Sequence, residues 1–440
     1  MRHRVWVLGS IMLLALLLRV AFVLLISHPE LRTGDWQFTG DEADYHGIAA
    51  ALATTGQYSD VPQGRPTAYR TPGFVLPLAL IYYLAGVRPF LGVVLNVILG
   101  TLIVGSIGLV AHQTFRAPIA VAAAMLVAAA VPSFVQNSAA LTSDSLAVLC
   151  TFMMLAWLIR WHRQGQVGSA LAAGGWFAWS FLTRASIGFA LPLLAAWMLW
   201  SRPKGATTRG LAAFCLVFAA IVLPWVVRNE LVMGDAYPGG TVTGWNLWQT
   251  NNPVTAGLQP VYVQRDGKTV QLPREWLLGG DLRGEYAAQL PGYELLTGRS
   301  ETEVNAIALR LVKTFAAEHP GALAMLMAHK LLRFLSGKPI KPPWEDSHSG
   351  LRSMAARGER WLILLFGGIG LALLFRRDRA LAWLMMCPLS ASLLFVLVSY
   401  PNARFFMVGT GVLIITASGL CSRTPLASEA RQADPVQAAL

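Results

Sequence analysis

The chain has 440 residues, enough for two or three soluble domains, but its composition argues against them. It is 55% hydrophobic and only 13% charged, with a mean hydropathy of +0.51 and 15 Trp. Apolar runs near 20 residues recur, and about 20 helical residues cross a bilayer core. We therefore expect a polytopic, all-α membrane protein. Its net charge of +12 then reflects basic cytoplasmic loops, so nucleic acid is not expected as a partner.

The first apolar run, 5–26, follows the basic start Arg2-His3-Arg4, so a signal peptide has to be considered. The run is long for the apolar core of a signal peptide, and no small-residue cleavage site follows it. We expect an uncleaved first helix. The four cysteines lie in apolar runs or at the end of the last one, so neither a disulfide framework nor a zinc site is implied.

About ten apolar runs are candidate transmembrane helices. They fall at 5–26, 89–111, 117–135, 145–161, 168–183, 186–200, 210–227, 359–375, 380–398 and 404–420. Basic clusters then fall on one side of the membrane, which should be the cytoplasmic side. These clusters are Arg2/Arg4, Arg160/Arg163, Arg202/Lys204/Arg209, Arg376/Arg377/Arg379 and Arg423. Both termini are expected in the cytoplasm, and the membrane is expected to be the plasma (inner) membrane.

These runs divide the chain into four parts. Residues 1–227 are expected to form a membrane domain with seven spans and an outer-face catalytic loop at 27–88. Residues 228–358 form an outer-face (periplasmic) segment, and 359–420 hold the last three spans. The polar, aperiodic tail 421–440 is expected to be disordered and cytoplasmic.

The outer-face segment predicts mixed structure. Strand-like VYVQRD and TVQL flank Gly267, and 301–335 has helical spacing. Its last part, HPGALAMLMAHKLLRFL, has Lys330 and Arg333 to one side and predicts an interfacial helix. Residues 73–86 are apolar but too short to span, and predict a second interfacial or re-entrant helix.

The first polar stretch after the first run carries an adjacent acidic pair, Asp41-Glu42, followed by Tyr45 and, at the far end of the same loop, Arg70. Tyr45 lies on the apolar face of a short predicted helix. Acids and a phosphate-sized cation in one outer loop suggest an active site at a membrane surface.

Capping offers a structural explanation for part of this stretch. Thr39 and Glu42 have the spacing of a capping box, and Gly56 is a suitable helix stop. Glu42 is thus equally well explained as a cap or as a functional acid, and Asp44 as a solvated charge. Asp41 is not needed for the box, so a functional role is favoured for it.

A third acid, Asp144, stands in LTSDSL just before the run 145–161. A carboxylate at the mouth of a membrane helix is costly unless it faces water or a partner, although helix capping alone would explain it.

Four arginines are placed on the outer face, against the positive-inside tendency. They are Arg70, Arg184, Arg228 and Arg404. Each alone is explained by snorkelling to headgroups, but together they suggest a phosphate site.

Tryptophans and amides follow PWVVRN (224–229), in GGTVTGWNLWQTNNPVTAG (239–257), which includes Asn251. Such residues suit sugar binding by hydrogen bonds and stacking, although an ordinary loop core uses them too. The sequence contains no Walker loop, HExxH, GxSxG or CxxC, so ATP hydrolysis, zinc proteolysis and serine chemistry lack support.

The order of these motifs resembles the C-type membrane glycosyltransferases that use polyprenyl-phosphate sugars, the group containing protein O-mannosyltransferases and lipid A aminoarabinose transferases. The resemblance covers about residues 5–420. Its motifs are DExxY (41–45), YRTPGF (69–74), LTSDSL (141–146), FLTR (181–184), PWVVRN with GWNLWQTNNP, and YPNARFF (400–406).

The resemblance implies an undecaprenyl-phosphate-sugar type of donor and an inverting transfer on the outer face. It implies that Asp41 is the base, with Glu42 beside it, and that Asp144 is the second acid at the cavity. Arg70 matches a position that contacts the donor phosphate. Tyr45, Arg184, Arg228, Asn251 and Arg404 are candidate substrate-binding residues. No cofactor is expected, and a divalent metal is not favoured, since the mannosyltransferase-like members look metal-independent.

We expect in this chain neither an inserted soluble domain like that of the protein mannosyltransferases nor a large C-terminal domain like that of the aminoarabinose transferases. The acceptor, whether lipid, glycan or protein, therefore stays open. The main alternative function is a transporter or flippase for a lipid-linked sugar. It does not need an adjacent acid pair, and the internal repeat expected of many transporters is not visible.

Overall fold

The computed structural model describes residues 2–27, 36, 38, 40–201, 208–259, 262–265, 267–272, 287–336 and 350–422. Residues 423–440 of the predicted tail 421–440 and the positions Thr39, Arg202 and Lys204 lie outside these residues. Within them the chain is almost wholly helical, with a single two-stranded antiparallel sheet. This confirms the predicted all-α class.

The described residues contain sixteen α-helices. The first nine are α1 (Arg2–Phe22), α2 (Asp41–Thr55), α3 (Pro72–Ala85), α4 (Pro89–Phe115), α5 (Pro118–Ala130), α6 (Pro132–Ala139), α7 (Asp144–Gln164), α8 (Val167–Thr183) and α9 (Leu191–Trp200). The others are α10 (Arg209–Met233), α11 (Val242–Thr250), α12 (Glu301–Glu318), α13 (Pro320–Ser336), α14 (Gly350–Arg377), α15 (Arg379–Val398) and α16 (Met407–Ser418). Between α11 and α12 lie β1 (Tyr262–Arg265) and β2 (Lys268–Gln271).

Seven helices of the described chain are long and apolar enough to cross a membrane. They are Trp6–Ser27, Pro89–Phe115, Asp144–Gln164, Arg209–Met233, Gly358–Arg377, Arg379–Val398 and Arg404–Cys421. Large apolar side chains such as Leu17 and Leu365 are exposed on them, where lipid would lie. The chain is an integral membrane protein.

Three of the ten predicted spans do not form a single described helix of that length. Pro132 starts α6, so 117–135 becomes two helices, α5 and α6, which are bent by 53° and count as an eighth span if the pair is taken as one. The run 168–183 becomes the 17-residue α8, and 186–200 becomes a 3-10 turn at Ala185–Ala190 followed by the ten-residue α9, with Pro192 in its first turn.

The short helix predicted at 73–86 is confirmed as α3, which is built into the protein. Phe74, Val75 and Leu78 are fully buried. Gly73 sits against the end of α8, so that a Cβ there would lie 2.5 Å from the backbone nitrogen of Thr183. The start of α3 and the end of α8 are therefore fixed to each other.

The outer-face segment has its own small core. The strand pair flanking Gly267 is confirmed as β1 and β2, paired from Tyr262 with Gln271 to Arg265 with Lys268. Helices α11 and α12 pack around the buried ring of Trp248. The helix predicted over 301–335 is confirmed as two helices, because Pro320 starts α13.

Candidate active site

The acidic stretch forms the start of α2, whose first turn contains Asp41, Glu42 and Asp44. The predicted capping box is wrong, because the N-cap residue is Gly40, which has no side chain. Glu42 instead accepts a 2.9 Å hydrogen bond from the backbone nitrogen of Leu141. That bond ties α2 to the segment before α7.

Arg70 binds the first turn of α2 from the far end of the same loop. Its guanidinium pairs with Asp41, and it also donates to Asp44 Oδ2 from Nη2 at 2.6 Å and from Nε at 3.2 Å. Asp44 is therefore an ion-pair partner, and its interpretation as a solvated charge was wrong. The Arg70 guanidinium also lies over the rings of Tyr45 and Tyr69, at 5.3 and 5.2 Å.

The third acid, Asp144, is buried at the start of α7, with 3% of its side chain exposed. It pairs with Arg184, which follows α8 in an extended conformation (φ −154°) and so leaves the helix axis. Tyr45 reaches the same loop, since its hydroxyl lies 2.7 Å from Ser143 Oγ. The segments around Asp41 and Asp144, about a hundred residues apart, thus meet at one place.

Arg404 joins the two acids. One of its nitrogens, Nη2, pairs with Asp41, and another, Nε, lies 3.2 Å from Asp144 Oδ2. This second contact is an ion pair without hydrogen-bond alignment, and neither atom has a hydrogen-bond partner among the described residues. Arg404 stands in the 3-10 turn Ala403–Phe406, where the Asn402 side chain accepts its backbone N–H at 3.0 Å.

Electrostatics keep Asp41 ionised. Burial alone would raise the pKa of Asp41, but the guanidinium groups of Arg70 and Arg404 outweigh it and hold that pKa well below its usual range. Burial, together with the charge of Arg404, lowers the pKa of Arg184 to about 10, so Arg184 remains a cation at neutral pH. The Phe405 ring lies 4.4 Å from the Arg184 guanidinium and 5.2 Å from that of Arg404.

A cavity of about 100 Å³ opens beside these ion pairs. Asp41, Tyr45, Arg70 and Arg184 form its charged and aromatic side. Its other polar lining residues come from five segments of the chain, and all carry a hydroxyl except one, which carries an amide. They are Tyr69, Thr71, Ser143, Thr183, Ser186, Thr243, Asn246 and Ser399. None of these eight residues was predicted as a site residue from the sequence, although Thr243 and Asn246 lie in the segment 239–257 that suits sugar binding.

Asp144 and Arg404 line a second cavity of about 30 Å³, which shares Arg184 and Ser186 with the first. Three other sequence-derived candidates lie away from the first cavity. Glu42 does not line it. Arg228 donates to the carbonyls of Thr67 at 2.8 Å and Tyr58 at 3.0 Å, and so holds the loop before Arg70. Asn251 is held by Lys330, whose amine donates to its Oδ1 at 2.9 Å.

Lys330 was expected on the polar side of an interfacial helix, but it is fully buried. Burial lowers its pKa to about 7. The Asn251 amide it contacts donates in turn to the carbonyl of Val398 at 2.8 Å, where the segment leading to Arg404 begins. The outer-face helices α11 and α13 therefore support that segment.

A larger, apolar groove of about 510 Å³ lies on the membrane side, between α5, α14 and α16. Glu359 and Ile363 line it and also line a smaller, more polar cavity that contains Arg360, Gln136 and Phe406. Phe406 is two residues from Arg404. The groove therefore shares one wall with a cavity that reaches the turn carrying Arg404.

Within the described residues, no three His, Cys, Asp or Glu side chains are grouped as metal ligands would be. Asp41, Asp44 and Asp144 all face arginines instead. Independence of metal stays a prediction.

Comparisons with known proteins concern the fold and one part of the sequence. Residues 69–227 match the dolichyl-phosphate-mannose-protein mannosyltransferase family. The oligosaccharyltransferase of Archaeoglobus fulgidus in its apo form has a similar structure, with a TM-score of 0.54 and 16% identity over 94% of this chain and 50% of that one. The same organism's AglB in complex with an inhibitory peptide and a dolichol-phosphate has a TM-score of 0.54 and 15% identity over 94% of this chain and 50% of that one.

ArnT of Cupriavidus metallidurans bound to undecaprenyl phosphate is more distant, with a TM-score of 0.40 and 16% identity over 92% of this chain and 77% of that one. No curated protein sequence matches the chain significantly. The chain spans about half the length of the oligosaccharyltransferase.

The fold is that of the C-type membrane glycosyltransferases, so the resemblance drawn from the sequence is confirmed. Within that class, the part of the chain from 69 to 227 carries the sequence pattern of the dolichyl-phosphate-mannose-protein mannosyltransferases. That part includes Arg70, Asp144 and Arg184, whereas Asp41 and Arg404 lie outside it.

Proposed function

We propose that the chain transfers a sugar from a polyprenyl-phosphate donor to an acceptor on the outer face of the membrane, with inversion at the anomeric carbon. The observation that carries this proposal is the ion-pair cluster in which Arg404 bridges Asp41 and Asp144 beside a hydroxyl-rich cavity. The family match and the dolichol-phosphate named for AglB support the class of donor.

The charge balance of the cluster suits a reaction in which a phosphate group is the leaving group. Three carboxylates, Asp41, Asp44 and Asp144, face three guanidiniums, Arg70, Arg184 and Arg404. The site is therefore close to neutral before the donor enters. A phosphodiester brings negative charge, and it competes with the carboxylates for the planar N–H groups of the arginines.

Asp41 is the proposed base. The acceptor hydroxyl attacks the anomeric carbon, its proton passes to Asp41, and the bond from that carbon to the phosphate oxygen breaks with its electron pair left on the polyprenyl phosphate. Protonated Asp41 no longer holds Arg70 and Arg404, just as the phosphate gains charge. Both arginines are then free to stabilise the leaving group, which needs no further activation.

The same coupling explains how a carboxylate with a lowered pKa can act as a base. While Arg70 and Arg404 pair with Asp41, its affinity for a proton is weak. A donor phosphate that draws these guanidiniums toward itself raises that affinity. The base therefore becomes competent when the donor is bound.

The remaining groups have supporting roles in this proposal. Asp144 is buried and pairs with Arg184, and so holds that arginine at the cavity. The hydroxyls and amides of the cavity suit a sugar. The apolar groove beside Phe406 suits the isoprenoid chain of the donor. Glu42 holds α2 rather than reacting.

The orientation belongs to the same proposal. The basic clusters predict that both termini are cytoplasmic, which puts α2 and the cavity at the outer face. A cysteine introduced at exposed Asp60, in the loop between α2 and α3, tests this in intact cells. Labelling by a membrane-impermeant thiol reagent is expected there, and labelling only after lysis would place the site on the cytoplasmic face.

The activity is tested with purified protein, a radiolabelled polyprenyl-phosphate sugar and an extract of native membranes as the source of acceptor. Label is expected to appear in a new product whose anomeric configuration is opposite to that of the donor. Retention of configuration would contradict the mechanism. Movement of intact donor across vesicles, with no label transferred, would favour a flippase.

A further inference from the structure

The backbone of the short segment that carries Arg70 into the site is hydrogen-bonded at several points. The Thr67 amide donates to the carbonyl of Tyr58 at 3.1 Å, and the Ala68 carbonyl accepts from the Thr241 amide at 3.0 Å. The Tyr69 amide donates to Thr67 Oγ1 at 3.0 Å, and the Arg70 carbonyl accepts from the Tyr58 hydroxyl at 2.9 Å. A segment held at so many points has one conformation.

Besides Arg228, one acidic side chain contacts this segment, and it comes from α12. Glu301 is the first residue of α12, and its carboxylate accepts from Thr67 Oγ1 at 2.7 Å and from the Ala68 amide at 2.9 Å. It also accepts from the Thr241 hydroxyl, in the segment before α11. Three donors from two different loops thus converge on one carboxylate.

These contacts connect α12 with the phosphate-binding side of the proposed site. Thr67 and Ala68 precede Arg70 by only three and two residues. On the other side of the loop, a Cβ on Gly240 would lie 2.6 Å from the carbonyl oxygen of Tyr69. The outer-face segment therefore approaches the loop as closely as the backbone allows, and Glu301 fixes where the two meet.

We propose that Glu301 is a positioning residue for Arg70, an inference that rests on the proposed transferase function of the site. Glu301 contacts neither Asp41 nor the cavity. It acts through Thr67 and Ala68, whose placement sets the direction from which the Arg70 guanidinium reaches Asp41 and the donor phosphate. The outer-face segment 228–336 thereby becomes part of the catalytic unit.

The consequences of losing this carboxylate follow from the hydrogen bonds. Glu301→Ala leaves the Thr67 hydroxyl and the Ala68 amide without an acceptor, so the loop shifts to satisfy them. Displacing a catalytic group by about 1 Å can cost on the order of a hundredfold in rate. Glu301→Gln retains an acceptor for the Ala68 amide and is expected to preserve most of the function.

Transfer activity and its pH profile are measured for Glu301→Ala, Glu301→Gln and Thr67→Val. Glu301→Ala is expected to lower kcat/KM about ten- to a hundredfold. It is also expected to move the acid limb of the profile to higher pH, because a displaced Arg70 no longer holds down the pKa of Asp41. Glu301→Gln should stay within about threefold of the wild type, since the contact depends on an acceptor rather than on charge.

The matched control is Glu303→Ala, on the same helix. Glu303 is exposed and closes a capping box with Ser300, so its loss destabilises α12 without touching Thr67 or Ala68. Its kcat/KM and acid limb should match those of the wild type. A shift of the acid limb in Glu303→Ala equal to that in Glu301→Ala would reduce Glu301 to a residue that merely stabilises the helix.

The Thr67→Val variant keeps the test decisive if Glu301→Ala does not fold. It removes the hydroxyl from the opposite side of the same contact while conserving volume, and it should reproduce both the rate loss and the shifted acid limb. Combined with Glu301→Gln, its effects should be less than additive. If the wild type is active and the pH profiles of these variants keep the wild-type acid limb, the positioning role is contradicted. An inactive wild type would instead contradict the proposed function.

Discussion

Arg404 and Asp41 are 363 positions apart in the chain, yet their side chains form an ion pair. The same guanidinium lies 3.2 Å from Asp144, so one arginine joins the acid of the first outer loop to the acid at the mouth of α7. This bridge makes the charge state of Asp41 dependent on what else binds the arginines. The predictions below depend on that relationship.

The bridge predicts that Arg404 cannot be replaced by lysine. A lysine ammonium is a point charge and cannot reach two carboxylates from separate nitrogens of a planar fork. We expect Arg404→Lys to lower kcat/KM by about a hundredfold, the lower end of the range found when an electrostatic donor is lost from an active site. Inhibition of transfer by free polyprenyl phosphate should weaken in parallel.

The control for that experiment is Arg299→Gln, which removes an exposed arginine of the outer face whose carboxylate partner, Glu303, is 3.6 Å away. Exposed ion pairs of this kind contribute little. If free polyprenyl phosphate inhibited Arg404→Lys as strongly as it inhibits the wild type, Arg404 would not contact the phosphate.

The low pKa of Asp41 predicts a pH profile without an acid limb near neutrality. In Arg70→Gln, the burial of Asp41 is no longer opposed by Arg70, so its pKa should rise by about one to three units. The base is active when ionised, and activity is therefore lost at a higher pH than in the wild type. The profile of kcat/KM against pH reports this pKa in the free enzyme.

The pH dependence of stability should also change in Arg70→Gln, and the direction of the change follows from the pKa of Asp41. The folded-state pKa of Asp41 is below its unfolded value, so its contribution to stability is present above the unfolded pKa of about 3.9 and is lost as pH falls below it. Arg70→Gln should reduce the fall in melting temperature between about pH 5 and pH 3. A fall as steep as that of the wild type would mean that Asp41 is not held by Arg70.

Buried Lys330 predicts a stability change in the opposite pH range. Its folded-state pKa of about 7 lies below the unfolded value, so the unfolded chain binds more protons and stability rises between about pH 7 and pH 10. Lys330→Met should abolish on the order of 1–4 kcal/mol of this rise. Thermal unfolding measured across that range checks it, and identical slopes for both proteins would contradict it.

Close packing at Gly73 predicts a purely steric effect. A methyl group there would push the start of α3 away from the end of α8, and such overpacking costs about 1–3 kcal/mol. Since Arg70 and Arg184 flank this contact, Gly73→Ala should lower both melting temperature and transfer. Gly168→Ala, on α8 where a Cβ would meet nothing within 4 Å, is the control and should change neither.

Much of the fold could be predicted because apolar runs and charge asymmetry are local signals. The positions of the long helices, the strand pair around Gly267 and the short helix after Pro72 all follow from such patterns. The helix breaks inside these runs could not, because a proline within an apolar run ends one helix and starts another without changing the hydropathy. Pro132 and Pro192 are the examples.

The charged residues of the site could be predicted from the sequence, but which of them pair with each other could not. Asp41, Asp144, Arg70, Arg184 and Arg404 were identified from their placement on the outer face, and the structure brings them together. Arg228 has the same placement, yet it holds a loop. Glu301 gave no signal, because its three hydrogen-bond donors are brought to it only by tertiary folding.

The central claim is that Asp41 accepts the proton of the acceptor hydroxyl. Its most direct test is single-turnover transfer from a radiolabelled polyprenyl-phosphate sugar by Asp41→Asn, with Asp60→Asn as a control that removes an exposed carboxylate from the neighbouring loop. We predict a loss of at least about a hundredfold in rate for Asp41→Asn, with donor binding retained and Asp60→Asn unchanged. Transfer by Asp41→Asn at the wild-type rate would contradict the account.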